Sequence, residues 1–314
     1  MHIFVSGSLA YDRIMDFPGR FADHILPEKI HILNVCFMVN GLIERFGGTA
    51  GNIAYNLALL GEKPVILATG GKDFGPYEDW LIQLGLPLGG IRPIPQEFTA
   101  GAYITTDKGD NQITGFNPGA MKYPSEYRFD GINPDTLAII APGNLEDMLA
   151  YSRAYKTNAV PYIFDPGQSI PAWEGPDLKE MADGALALIV NDYELEMFRK
   201  KTGLEEAGIL ELTGTLVTTK GEEGSVILTK KGEEAIPAAP ALQVADPTGA
   251  GDAYRAGLIK GLILGLPWSE AARMGAVLAS FSVEQQGTQE HQLELADFWE
   301  RYSENFGPAP ASVQ

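Results

Sequence analysis

The 314 residues carry 41 acidic and 23 basic side chains, a net charge of −18, and such a field repels nucleic-acid phosphates and anionic lipid, so neither is an expected partner. With 45% hydrophobic and 20% charged residues and no run of about 18 apolar residues, the composition is that of a globular chain able to bury a core, not of a membrane-spanning one. Cys36 is the only cysteine, so no internal disulfide can form; this suits a reducing cytoplasm, and the residue reads as a small buried hydrophobe.

The opening "MHIFVSGSLAYD" lacks the basic region, apolar run and small-residue cleavage site of a secretory signal. It reads as a first strand, "IFVSG" from Ile3, closed by glycine. Residues 13–46 then alternate like strands with turns, as do residues 93–125, which include "FTAGAYITTD" and "NQITGFNPGA"; the two segments predict a small β flap. Between them lie a helical pattern, "NIAYNLALLG" from Asn52, and a strand, "VILATG" from Val65. Beyond the second segment come the strand "TLAIIAP" at 136, the helix "NLEDMLAYSRAYK" from Asn144 and the strands "YIFDP" at 162 and "LALIVND" at 186. The helix "YELEMFRKKTG" from Tyr193 and the strand "TLVTTKG" at 215 follow. A further helix begins near Gly249, and in "SEAARMGAVLASFSVEQQ" the residues Ala271, Met274, Val277, Leu278 and Phe281 share one stripe. Only the final "GPAPASVQ" reads as disordered.

Unbroken apolar runs suit strands covered on both faces. Their alternation with helices predicts an α/β fold, a mostly parallel central sheet flanked by helices with a small β lid, as one domain over 1–314. Ligands of such sheets bind beyond the C-terminal ends of the strands, where "VNDYE", "VTTKG" and "VADPTGAGD" fall.

Several familiar chemistries have no signature. There is no G-x-x-x-x-G-K-[ST], and Gly249-Ala250-Gly251-Asp252-Ala253-Tyr254 fails G-x-G-x-x-G at its last position, which argues against a nicotinamide dehydrogenase. The four histidines are scattered, giving no zinc pattern, and no G-x-S-x-G elbow occurs. What stands out is "VADPTGAGDAYRAGLIKGLILG" from Val244. Ala253, Ala256, Ile259, Leu262 and Ile263 recur at helical spacing, so the small residues fall on the first turn, whose free N–H groups and dipole make an anion site that side chains would block. Asp252 is then placed to take a proton from a hydroxyl brought to that anion; the plainer alternative is a helix cap with small residues for close packing. Gly47-Gly48 with Asn52 four residues on would let a substrate lie against backbone while Asn52 bonds a hydroxyl, or would be a mere glycine turn before a helix. Asp12 offers acceptors for two hydroxyls, or is a turn residue. Asn191 with Glu194 three residues later also fits a helix capping box.

"DPTGAGDAYRAG" resembles the C-terminal signature of the ribokinase (PfkB) family of sugar and nucleoside kinases, and "RFGGTAGNIAYNLALLG" from Arg45 its N-terminal one. That resemblance, with signs over nearly the whole chain, implies a Rossmann-like ribokinase fold with a β lid and ATP-dependent phosphoryl transfer to a primary hydroxyl. By motif position it implies Asp252 as general base and the amides of Gly249, Ala250 and Gly251 as the anion hole. Tyr254 stands where the family usually has phenylalanine. "NDYE" resembles the family's N-x-x-E motif, implying that Asn191 and Glu194 organise magnesium and phosphate, Glu194 through water, while Thr219 and Gly221 match a nucleotide-phosphate loop. Asp246 and Thr248, with the Gly287 region, match positions that bind a monovalent cation, potassium, in many members.

Sugar kinases of the family often carry D-x-N-x-R where this chain has "FDPGQSIPAW". "FPGRFADHILPEKIH", "FDPGQS", "NPGAM" and "GTQE" resemble instead the bacterial adenosine kinase branch. That likeness implies Ser8, Asp12, Gly48 and Asn52 on the ribose, Gln168 near the nucleoside and Phe116 beside the base, with flap core the alternative for Phe116 and Phe37. Cys36 and Phe37 fall in a lid stretch that in this branch reaches a neighbouring subunit's site, so a homodimer through the lid is an expectation. The implied activity is adenosine phosphorylation; the alternatives are another nucleoside kinase or a ribokinase-type sugar kinase, and a non-catalytic ligand sensor on the same fold.

Overall fold

In the computed structural model, which describes residues 1–129, 132 and 134–310, the apolar runs become strands of one sheet. In chain order the elements are β1 (His2–Ser6), β2 (Ala10–Asp16), β3 (Ile43–Gly47), α1 (Thr49–Leu59), β4 (Val65–Gly71), α2 (Gly75–Gln83), β5 (Ile91–Ile94), β6 (Ala100–Thr106) and β7 (Gln112–Asn117). There follow β8 (Thr136–Ile140), α3 (Leu145–Thr157), β9 (Tyr162–Phe164), α4 (Gly175–Ala182), β10 (Ala187–Asn191), α5 (Asp192–Thr202), α6 (Glu206–Thr213) and β11 (Thr215–Thr219). Last come β12 (Ser225–Thr229), β13 (Gly232–Ile236), α7 (Ala250–Ile263), α8 (Trp268–Ser282) and α9 (Leu295–Phe306).

The large sheet runs β13-β12-β11-β10-β9-β8-β1-β4-β5; from β11 to β5 neighbours are parallel, and β12 and β13 add an antiparallel edge. Alternate side chains feed two cores. Ile3 and Val5 of β1, with Leu137 and Ile139 of β8, pack among residues of α1, α7 and α8, whereas Phe4, Ala138 and Ile140 point to the layer of α3, α4 and α5. A strand covered on both faces has no polar side to alternate with, which is why β8 is buried at every position.

The helices that the sequence predicts lie where their apolar stripes place them. No helix is expected at α2, α6 or α9; α6 buries only Ile209 and Thr213, but α9 does carry a stripe, Phe298, Trp299, Tyr302 and Phe306, that packs on the core, and α2 a shorter one, Tyr77, Trp80, Leu81 and Leu84. α1 starts at Thr49, ahead of the apolar pattern that begins at Asn52, because Gly48 turns the chain at φ +89°.

The lid is a four-stranded sheet ordered β3-β2-β6-β7, with β2 and β6 parallel and the other pairs antiparallel. Register puts Arg45, Asp12, Ala102 and Phe116 in one row across it, and Glu44, Arg13, Tyr103 and Gly115 in the next, on the opposite face. Phe37 packs with Phe17, Phe21 and His24 at the lid's outer part. Cys36 is exposed rather than buried, correcting the hydrophobe expected from its type; the stretch around it makes too few contacts to cover it. The last four residues of "GPAPASVQ" lie outside the described residues. Among the described residues no helix is long and apolar enough to cross a membrane.

Candidate active site

The start of α7 is shaped by what its small residues leave out. Gly249, the residue before the helix, sits at φ +82°, and a Cβ there would come within 2.9 Å of Thr288 Cγ2. Gly251 stands against Arg255, whose Nη1 would lie 2.7 Å from an added Cβ. The Ala250 N–H turns back to Pro247 O at 3.3 Å, but the amides of Gly251 and Asp252 belong to the first turn and have no acceptor inside the helix. They border a cavity of about 710 Å³ lined by Gly249, Gly251, Asp252 and Arg255 on one side and by α1 and the lid on the other.

Asp252 lines that cavity, and its Oδ2 accepts a hydrogen bond from Asn52 Nδ2 at 2.8 Å. Burial raises its pKa above the usual carboxylate value, while Arg255 and the Asn52 bond pull it back. Arg255, one helical turn on, is itself buried: its Nη2 donates to Asp165 Oδ1 at 2.8 Å and its Nε lies against Asp165 Oδ2. Burial works against the guanidinium charge, but Asp165 raises the Arg255 pKa, so the arginine stays cationic; burial lifts Asp165 as well, against the lowering by Arg255. A positive group beside the first turn makes a carboxylate tolerable next to an anion site.

Across the cavity, Ser8 closes the start of α1: its hydroxyl accepts from Thr49 N at 3.0 Å, and its carbonyl accepts from Ala50 N at 3.0 Å. Gly48 must be glycine, for a Cβ would stand 2.6 Å from Ser8 O, and the bare Gly47 makes room for the Asp12 carboxylate, 2.5 Å from where its Cβ would be. Burial, and then the nearby Asp246, push Asp12 up to about 6. Asn52 is a buried residue of α1; besides bonding Asp252 through Nδ2, its Oδ1 accepts from Gln289 Nε2 at 3.1 Å. From the lid, Ala102 and the 51%-exposed ring of Phe116 face the same cavity, which excludes flap core as the surroundings of Phe116. Gln168 reaches it from the loop after β9.

Asn191 and Glu194 form the capping box: Glu194 N donates to Asn191 Oδ1 at 2.7 Å, and Asn191 N donates to Glu194 Oε2 at 2.8 Å. Both residues also line the cavity, so the cap does not withdraw them from it. Thr219, Gly221 and Gly251 border this cavity and a second, of about 630 Å³, whose wall is largely apolar, with Ala238, Pro240, Val244, Ala276 and Val283. Asp246 accepts from Thr248 N at 2.9 Å and from Gly287 N at 3.1 Å. Although burial raises it, these bonds hold its pKa below the usual range. Among the described residues, no group of three or more His, Cys, Asp or Glu is placed to hold a metal ion; the Asp246 carboxylate with the Thr248 hydroxyl beside it offers the oxygen donors that a hard cation such as potassium takes.

Arg255, Asp165 and Gln289 are site residues that the sequence does not single out. Spacing held a signal for the first two: Arg255 follows Asp252 by three residues, hence the same helix side, and Asp165 directly follows a parallel strand, where ligands bind. Gln289 is part of "GTQE", but nothing in the text reveals that it meets Asn52.

The family described as pfkB family carbohydrate kinase matches residues 28–295. The nucleoside kinase of Methanocaldococcus jannaschii is 35% identical over 265 residues, 83% of this chain and 87% of that protein. Among solved structures, Burkholderia thailandensis nucleoside kinase in complex with inosine matches with a TM-score of 0.87 at 39% identity, covering 98% of this chain and 99% of that one. The same kinase in complex with ADP-inosine matches with 0.84 at 40% identity, over 98% and 97%.

Proposed function

The chain belongs to the pfkB family of carbohydrate kinases, and from that premise we propose that it is a nucleoside kinase, moving the γ-phosphoryl group of ATP to the 5′-hydroxyl of a purine nucleoside, adenosine foremost. The observation that carries this reading is the seam between the two cavities: Asp252 and the open first turn of α7 lie where a chamber of mixed polar and apolar lining under the lid meets a largely apolar one. A nucleoside in the first and a nucleotide in the second would meet end to end at Gly251.

In this reading Ser8, Asp12, Gly48 and Asn52 hold the ribose, and Phe116 and Gln168 hold the base, the aromatic ring supplying a flat apolar contact on which a base can stack. The apolar wall near Val244 takes the adenine of ATP, with Thr219 and Gly221 along its phosphates. Asp252 accepts the proton of the 5′-hydroxyl as its oxygen attacks; a raised pKa makes it the better base. The Gly251 and Asp252 amides and the Arg255 guanidinium stabilise charge on the transferring group, so catalysis is positioning and electrostatics. Magnesium on the phosphates would neutralise their charge, held through water by Glu194, whose second oxygen is left over from the capping box; Asp246 and Thr248 are the residues for a monovalent cation. The exposed Ile30, Ile32, Met38 and Ile43 on and near the lid support pairing of two copies there, and the lone cysteine supports residence in the cytoplasm. That the inosine-bound kinase is so similar over its whole length favours nucleosides over free pentoses.

A coupled ADP-release assay over adenosine, inosine, cytidine and ribose tests the proposal. The expected result is turnover of the purine nucleosides with kcat/KM well above that for ribose; ribose as the best acceptor would overturn it.

A further inference from the structure

Behind Asp252 runs a chain of buried hydrogen bonds whose direction is set at its far end. Trp80 Nε1 donates to Gln289 Oε1 at 3.0 Å, and an indole nitrogen can only donate. The Gln289 amide is thereby turned so that Nε2 is its donor, to Tyr77 Oη at 2.6 Å and to Asn52 Oδ1 at 3.1 Å. Tyr77 gives its own proton to Gly47 O at 2.8 Å, so it does not donate to Gln289. With Oδ1 of Asn52 accepting, Nδ2 is the atom that faces Asp252 Oδ2, at 2.8 Å. Reversing either amide would set N–H against N–H at Trp80, or carbonyl oxygen against carboxylate at Asp252. Gln289, Asn52 and Tyr77 are at most 5% exposed, so no solvent repairs such a mismatch.

The sequence makes room for this chain at one position. A Cβ on Gly51 would lie 1.9 Å from Tyr77 Oη and 3.0 Å from Gln289 Nε2. The third glycine of "GGTAGN" thus opens the side of α1 through which the chain passes to Asn52.

We propose that Gln289 and Trp80 are positioning residues for the phosphoryl transfer: by fixing how the Asn52 amide is turned, they hold Asp252 Oδ2 and leave Oδ1 to receive the substrate's proton. This rests on Asp252 acting as the base, as set out above. The Asn52 bond favours the carboxylate form of Asp252, which is otherwise faced by Arg255, Glu194, Asp165 and Asp12. Loss of the chain therefore moves the acid limb of kcat to higher pH, because the base must be ionised to act.

The test compares wild type with Gln289→Met, an uncharged variant of similar length, and with Trp80→Phe at the partly exposed end of the chain. In Gln289→Met the expected kcat near neutral pH falls about ten- to a hundredfold, the acid limb moves up, and the KM for nucleoside changes far less. Trp80→Phe shifts the limb in the same direction by less, and stands as the test should Gln289→Met not fold. In an Asn52→Ala background, Gln289→Met should have no further effect on the limb. The Asp252 carboxyl titration, followed by 13C NMR without substrate and assigned with Asp252→Asn, reads the same shift independently of turnover. An unmoved titration and acid limb in a folded Gln289→Met or Trp80→Phe, even with a lowered melting temperature, would overturn the proposal. A wild type that phosphorylates no nucleoside would instead sink the functional reading, while the titration would still decide whether the chain controls Asp252.

Discussion

Two helix starts of this protein look alike in sequence and do opposite things. "GGTAGN" opens α1 and "TGAGD" opens α7, both with small residues and both bordering one cavity. At α1 the Ser8 hydroxyl and carbonyl take the first amides, so that end is closed and its glycines serve close backbone approach. At α7 the Gly251 and Asp252 amides are left open, and the space beside them holds a cationic Arg255 instead of a cap. A glycine-rich helix start is thus an anion site only where no neighbouring strand end closes it.

The contrast can be broken most severely at Asp252. Asp252→Asn keeps size and shape but removes the base, and kcat should fall about 10² to 10⁴-fold while nucleoside binding, read by calorimetry, persists; wild-type turnover would end the mechanism. Gly251→Ala puts a methyl group at the open end, 2.7 Å from Arg255 Nη1, so kcat should drop about 10² to 10³-fold; the melting temperature should fall less than in Gly48→Ala, because the backbone of Gly251 suits alanine and only the end of a side chain must shift. Gly48→Ala tests the closed end and should do the reverse: a left-handed φ and a Cβ 2.6 Å from Ser8 O cost about 1 to 3 kcal/mol of stability, seen as a lowered melting temperature. Equal losses of stability in the two alanine variants would erase the distinction between the helix starts.

The smallest effect expected is a pH dependence. Asp12 titrates at about 6 in the fold against an ordinary 3.8, so between those values the folded chain binds more protons than the unfolded one, and stability falls as pH rises through that window. Asp12→Asn lacks this penalty; melting curves at about pH 4.5 and 7.5 should show the variant gaining on wild type by a few degrees at most. Parallel curves would mean that Asp12 is not held where its row in the lid puts it.

How much of this was legible depended on the range of the interaction. The strands that are buried throughout, such as β8, announce themselves by unbroken apolar text, and the helix start at Gly249 by missing side chains. α6 was silent because a single buried pair makes no period, whereas α9 carries Phe298, Trp299, Tyr302 and Phe306 at helical spacing and was open to the same reading as the other helices. The capping box at Asn191 and its place in the cavity are both real, and only the second needs the fold. Arg255 could have been suspected from its turn of helix beside Asp252, but its partner Asp165 lies 90 residues away.

By itself the sequence determined the alternation of strand and helix, the two glycine-rich turns and the carboxylate at the second of them, because each depends on neighbours along the chain. Which of the turns stays open, and that Trp80, Gln289 and Asn52 line up behind Asp252, was decided only by the tertiary structure. Hydrogen-bond direction and the stopping of a helix end by Ser8 depend on groups that meet in space across tens to hundreds of residues, and spacing along the chain carries no record of that meeting.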